Sequence, residues 1–502
     1  MKRTLAFYAA VTMCLLPIVL LRDYTPSNEL RYISIADEAL REGHLFAFTN
    51  HGVPYADKPP LFLWLVMLVR LAPAALQHLL LGALTILPAF ITIEVTGSIM
   101  RFQGRKLMLL RLTTLTTGLY LVSMLTLRMD MLMCMFIMLA IRQFQKCYES
   151  RRPHESPLLM LFIFLAVFTK GPFGALIPLA VIIAFLSVKG RLGDFFKFLG
   201  WRSWLLVAIL TGSWFGAVYA EGGGDYLSDL VFHQTIDRAY HSFHHREPFY
   251  YYLYMMWPLL LPWTFAMLHA LWLYLRKKPL PQESLRLMTI GCAATFVILS
   301  LVSAKLSIYF LPFVPFAAAL ATNTYDDCMP AWPLATGFAV FLFPLPLIVL
   351  FKQQWPDVAP YINVLTVMAL AIMATAAIMA LMALHKHREL SAISLMAAGV
   401  LGGTLVAGFS FTRINAYIGF KDVCSTAQAM ITAHHANKVV AVDMKRAENM
   451  DVYLGCMPEQ ADSAPQLKDC HHAVVMASAA EAHRLPLHDR QQTGDKVVGY
   501  LP

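Results

Sequence analysis

The chain has 502 residues, of which 58% are hydrophobic and 14% charged, and its mean hydropathy is +0.57. A soluble protein of this length buries its core without such an apolar excess. A polytopic membrane protein needs it, because each crossing takes about 20 mostly apolar residues. The net charge of +9 does not point to nucleic acid, since Lys and Arg fall in short loops between apolar runs, as the positive-inside rule expects.

Lys2 and Arg3 precede a first apolar run at residues 5–21. No small-residue cleavage site follows, so this run reads as an uncleaved crossing that starts inside. Residues 28–64, NELRYISIADEALREGHLFAFTNHGVPYADKPPLFLW, then concentrate charge between apolar stretches. Ionisable groups held beside membrane segments usually have a use. Within this loop Ile33, Ile35, Ala36, Ala39 and Leu40 share one helical face, and Gly43 ends the helix, which predicts an amphipathic helix lying at the interface. Pro59 and Pro60 open a second apolar helix too short to cross comfortably.

Further crossings are predicted at residues 75–99 and 107–127, and from Asp130 to Lys146. Others follow at 157–168, then up to Lys189, to Glu221 and to Arg276, and from there to the Ser303-Ala304-Lys305 turn. The last four cover residues 310–321, 332–351, 362–384 and 390–409. That makes about thirteen crossings, with the N-terminus inside and the tail outside. The first outer loop spans 22–73 and a second large one 221–249, within a membrane domain of residues 1–411. Residues 412–502 form a polar tail. There 438–442, 473–476 and 497–500 read as strands, and 426–435 and 446–453 as helices, which predicts a small α/β domain. The fold class is thus an all-α polytopic membrane protein with a C-terminal α/β domain.

Eight cysteines are scattered without a CxxC. Cys14, Cys134 and Cys292 read as small hydrophobes. Cys456 and Cys470 are a disulfide in an oxidising compartment or two free thiols, with the alternatives even.

Several charges fall at predicted outer ends, where the positive-inside rule disfavours basic residues: Lys58, Arg128, Asp130, Lys170, Arg238, Arg246 and Lys305. Five of the cations, Lys58, Arg128, Lys170, Arg246 and Lys305, belong to separate segments and could converge on a lipid phosphate, holding it and stabilising it as a leaving group. For any single residue the plainer account is snorkelling or an ion pair with Asp57 or Asp130. A carboxylate for deprotonating an acceptor, or for facing a developing positive charge, would come from Glu29, Asp57 or Asp130. Asn28, Arg31, Tyr55, Arg238 and Tyr309 would line the substrate. His241, His244 and His245, together with His233, form no strong metal signature, so no cofactor is required, and a divalent metal has only these weak candidates.

The ordered set NELRYISIADEAL, GVPYADKPPLFLW, RMD, TKGPFG, HREPFYYYL and SAKLSIYFLP resembles the bacterial polyprenyl-phosphate-dependent glycosyltransferases of the C-type fold (GT-C). That group includes the lipid A aminoarabinose transferase and is related to protein O-mannosyltransferases. The likeness covers roughly the first 320 residues. It implies an inner-membrane enzyme with its site and tail on the periplasmic side, an undecaprenyl-phosphate-linked sugar donor and an inverting transfer to lipid A, another glycolipid, a surface glycan or protein. Membrane lipids are partners and nucleic acid is not. Glu29 matches the acidic member of the family's first-loop Asp-Glu pair, while Asn28 stands where the Asp usually is, a departure that moves any base role to Glu29, Asp57 or Asp130. Asp57-Lys58 matches the family's Glu-Lys before Pro. Asp130 matches the second-loop Asp, and Lys170, Arg246 and Lys305 match its phosphate-holding cations. The competing readings are a transporter or flippase, which would carry charges through the spans near the midplane, and a non-catalytic lipid-carrier binder.

Overall fold

The computed structural model describes residues 2–150, 155–231, 247–277, 280, 282–325, 330–356, 358–463 and 471–502. Seven helices among them are long and apolar enough to cross a membrane. They are α1 (Lys2–Leu21), α4 (Ala74–Met100), Trp201–Val231, Glu283–Leu301, Ala331–Leu350, Val364–His385 and Glu389–Ile418.

An eighth crossing is broken. α5 (Gly104–Leu115) and α6 (Gly118–Leu125) meet at 71°, where the sequence predicted one continuous span. The break falls at Thr116 and Thr117, whose hydroxyls donate to the carbonyls of Leu112 and Thr113. Such back-bonding competes with the helical ladder and bends it. Gly118 N–H is taken instead by Leu261 O at 2.9 Å, and Trp263 Nε1 donates to Thr116 Oγ1 at 3.0 Å. Other predicted crossings are shorter helices: α8 (Pro157–Lys170) and α9 (Phe173–Val188), or α7 (Asp130–Glu149), which is charged at both ends. α8 has 14 residues. At 1.5 Å per residue it reaches about 21 Å, less than the roughly 30 Å hydrocarbon core. Its last residue, Lys170, therefore stops inside protein rather than in open water, and is 9% exposed.

In lipid, helices gain little from hiding apolar surface and associate through close packing of small residues. Val364–His385 and Glu389–Ile418 make the most extensive helix pair. A side chain at Gly399 would run into Ala376 Cβ at 2.1 Å, so only glycine lets these backbones approach. Two charges in the spans pair with each other. Arg111 donates to Glu94 Oε1 at 2.7 Å and Oε2 at 3.1 Å, and Tyr8 adds 2.6 Å. Arg111 also reaches Thr4, next to the start of α1, so the cluster lies at the end of the bundle opposite the tail.

α2 (Arg31–Glu42) forms as predicted and closes on Gly43 in the left-handed conformation (φ 81°). It does not lie free at an interface. Tyr32, Ile33, Ser34, Ile35, Ala36 and Ala39 are all buried, because the tail domain covers the face that the membrane domain leaves open. Ser34 Oγ donates to Asp451 Oδ2 at 3.0 Å, Asn449 donates to Pro26 O at 3.1 Å, and Tyr453 OH donates to Asp23. One apolar core runs from Leu30, Ile33 and Phe62 through Leu127 and Met129 to Val423, Met450 and Val474.

The tail carries a five-stranded sheet of order β4-β3-β5-β7-β6, with β3 (Lys438–Val442), β4 (Glu459–Ala461), β5 (Ala473–Ser478), β6 (His488–Thr493) and β7 (Lys496–Leu501). β3 is parallel to β4 and β5, and the β7 pairings are antiparallel. The helix Glu389–Ile418 runs past the domain boundary expected at residue 411, so the tail is joined to the membrane domain by a continuous helix. Cys456 is exposed, and Cys470 lies outside the described residues, as does the pairing question.

Candidate active site

The tail-side rim of the bundle gathers charges from segments far apart in sequence. Asp130 opens α7 and is buried. Lys170 closes α8, where Gly171 (φ 93°) turns the chain into α9. Lys170 Nζ contacts Asp130 Oδ1, and Arg128 Nε lies 3.2 Å from Asp130 Oδ2. Lys170 also sits over the Tyr309 ring, 4.2 Å from its centroid, an arrangement that favours a cation. Tyr32, buried beneath them, has its phenol pushed up to about 12 by burial. Arg128, Asp130, Arg31 and Asp57 are the charges whose fields also reach it. Arg31 stacks over Tyr55 at 5.4 Å, and the Tyr55 carbonyl accepts from Tyr226 OH at 2.9 Å.

Three buried or half-buried carboxylates, Glu29, Glu38 and Glu221, brace the loops that carry these groups, a role the sequence does not reveal for Glu38 and Glu221. Glu29 lies in the π-helical turn Pro26–Leu30 and is fully buried. It takes both ends of the Arg22 guanidinium (2.5 and 2.7 Å), the N–H and hydroxyl of Thr25, and the N–H of Leu127 at 2.7 Å. Arg22 in turn donates to Leu125 O at 3.1 Å. The pair thus clamps the strand of chain that delivers Arg128 and Asp130. Burial alone would raise the Glu29 pKa, but Arg22 and the backbone N–H groups hold it below the ordinary carboxylate range.

Glu38 does the same for the hairpin β1 (Thr49–Asn50) and β2 (Val53–Pro54), which leads into Asp57-Lys58. It accepts from Thr49 Oγ1, His51 N and Gly52 N at 2.7, 2.5 and 2.8 Å. Glu221 accepts the N–H groups of Leu45, Phe46 and Ala47. Arg22 was legible as a basic residue at the wrong end of α1, but nothing local told a brace from a ligand.

The predicted site residues are thus partly assembled. Arg128, Asp130, Lys170 and Tyr309 are in contact, with Asp57 and Arg31 close enough to act on Tyr32. Asp57 and Lys58 are half-buried and engaged in interactions of their own. Asn28, half-buried, shares the turn of Glu29. Lys305 is buried, with its ammonium on the carbonyls of Glu247 (3.0 Å) and Val302 (2.5 Å), so it holds the segment after residue 246. Arg238, Arg246, His233, His241, His244 and His245 lie outside the described residues. Among the described residues no group of three His, Cys, Asp or Glu is placed to hold a metal.

A polytopic helical bundle with a polar loop packed between the bundle and a C-terminal α/β domain is a fold of the GT-C type. The solved structure of ArnT from Cupriavidus metallidurans bound to undecaprenyl phosphate superposes with a TM-score of 0.78 at 18% identity, covering 99% of this chain and 97% of that one. Its apo state gives 0.76. At this identity the likeness establishes the fold. No protein-family model matches the chain. The chain is 28% identical over 336 residues to an undecaprenyl phosphate-alpha-4-amino-4-deoxy-L-arabinose arabinosyl transferase of Shewanella sediminis (strain HAW-EB3), covering 62% of this chain and 57% of that protein. It is 24% identical over 328 residues to an uncharacterized protein of Aquifex aeolicus (strain VF5), covering 62% and 63%. The aligned region therefore spans less than two thirds of either curated relative.

Proposed function

We propose that this protein is an inner-membrane glycosyltransferase that moves a sugar from a polyprenyl-phosphate donor to an acceptor on the periplasmic side. The observation that carries the reading is the meeting of Arg128, Lys170 and Asp130 at the tail-side rim, on a fold shared with a transferase solved with undecaprenyl phosphate bound. An arriving phosphate would compete with Asp130 for both cations, since charge-assisted contacts to Arg and Lys suit phosphate well. In the transfer, the bond between the anomeric carbon and the phosphate oxygen breaks. The electron pair stays on the departing polyprenyl phosphate, where Arg128 and Lys170 offset the added charge. The acceptor oxygen bonds the anomeric carbon from the opposite face, giving inversion.

Of the three carboxylates, Glu29 is saturated by its brace contacts, so a hydroxyl acceptor would give its proton to Asp57 or Asp130. A phosphate acceptor, as on lipid A, brings its own negative oxygen and needs no base, which fits Asn28 in the family's Asp position. The paired Glu94–Arg111 cluster lies at the far end of the bundle rather than at the midplane, which weighs against the transporter reading. The test is transfer from a defined polyprenyl-phosphate sugar by Lys58→Ala and Asp130→Ala, each checked for folding. Activity should vanish in both. Wild-type rates in both would end the assignment, and mass spectrometry of envelope lipids with and without the gene would identify sugar and acceptor.

A further inference from the structure

The tail sheet has a second polar crevice that the transfer site does not use. β3, β4 and β5 run parallel, so their carboxyl ends lie along one edge of the sheet, where Asp443 and Asp462 follow β3 and β4 and Ser478 ends β5. β7 is antiparallel to β5 and begins at this same edge, bringing Asp495 and Lys496. In α/β sheets the crevice outside the carboxyl ends of parallel strands is where ligands bind. Here that position is a cavity of about 240 Å³, lined by Asp443, Met444, Lys445, Ser478, Asp495 and Lys496 on the tail side and by Pro26 and Tyr417–Phe420 on the membrane-domain side.

The lining selects a chemistry. Two carboxylates face two ammonium groups, so the crevice is charge-balanced and offers no net field to hold a phosphate or a bare cation. Its groups are mixed donors and acceptors: Ser478 Oγ donates to Asp443 Oδ2 at 3.2 Å, and Lys496 Nζ bridges Asp495 Oδ1 (2.6 Å) and Ala416 O (3.2 Å). Hydroxyl groups, which both donate and accept, match such a lining. Tyr417, packed on Tyr361 at 6.2 Å, supplies an aromatic rim at the end of a spanning helix, the depth at which aromatic residues meet lipid headgroups. The volume is below the roughly 300–1,000 Å³ of drug-sized pockets, so it suits one sugar ring rather than an oligosaccharide. Pro26 ties the crevice to the transfer site, because it opens the turn that carries Glu29.

We propose that this crevice binds a single sugar ring of a membrane glycolipid and steadies the acceptor as its reactive group enters the transfer site. The acceptor role rests on the transfer reading, whereas saccharide binding does not. The test uses full-length protein in nanodiscs with methyl β-glucoside and methyl β-glucosaminide as probes, read by saturation-transfer NMR. Asp443→Asn and Asp495→Asn, made separately and checked by thermal unfolding, should each reduce the signal at least fivefold, while Lys170→Met keeps it. Equal signals in all variants, no signal in the wild type, or displacement of the glycosides by inorganic phosphate would each overturn the proposal. In turnover assays the same crevice variants should raise the acceptor KM at least fivefold and leave kcat within twofold. Unchanged KM with lost glycoside binding would remove the acceptor role alone. A wild type that binds glycosides but transfers nothing would count against the transfer reading and leave the site standing.

Discussion

The buried carboxylates have two different jobs, and contact number separates them. Glu29 is committed to five hydrogen bonds, three of them to Arg22 and Leu127, which position backbone near Asp130. Glu29→Gln would leave the Arg22 guanidinium without its counter-charge, a loss on the order of 3 kcal/mol, read as a lower unfolding temperature in detergent. The pH dependence follows from the depressed pKa values of Glu29 and Glu38, which bind protons less readily in the folded state than in the unfolded one. Their contribution is complete above the unfolded carboxylate value of about 4.3 and is lost as pH falls through the lower folded values. Unfolding temperature should therefore be flat from neutral pH down to the carboxylate range and drop below it, and Glu29→Gln should flatten that drop. Asp130, held between Lys170 and Arg128, is the other kind. Lys170→Met should cut turnover about 10²-fold or more, and it leaves buried Asp130 with Arg128 as its counter-charge, so unfolding temperature should fall as well.

Elements hold the site through lengths and breaks rather than through sequence pattern alone. α8 is too short to cross, so its end delivers Lys170 to Asp130. The α5–α6 break lets Trp263 and Leu261 insert against Thr116 and Gly118. The best-packed pair, Val364–His385 against Glu389–Ile418, depends on small residues. Gly399→Leu forces the helices apart and should cost about 1–3 kcal/mol, measured by titration with a denaturing detergent. The cost reaches the site indirectly, because Glu389–Ile418 continues as the stalk of the tail.

At the scale of the whole molecule the tail is part of the site's wall. Asp23 accepts from Lys421 N and Tyr453 OH, while Asn415 holds Leu21 O and Asp23 N, so four hydrogen bonds lock the end of α1 to the stalk and the tail. Asp23→Ala should loosen this dock without unfolding the bundle. Hydrogen exchange in α2 should quicken, and transfer should fall through a less ordered first loop. Unchanged exchange in α2 would mean the tail does not brace it.

The sequence by itself determined what local rules can determine. Apolar runs gave the seven long crossings but not the break between α5 and α6 or the shortness of α8, the β-rich runs 438–442, 473–476 and 497–500 gave the tail's core strands, and cations at disfavoured ends marked the rim. It did not reveal β6, because His488–Thr493 is an exposed edge strand with no apolar alternation to read. Only the tertiary structure decided which charges are braces, because burial and partner count depend on residues as distant as Glu29 and Leu127. It also decided that α2 is walled in by the tail, since a face that looks amphipathic in isolation is defined by whatever packs against its other side.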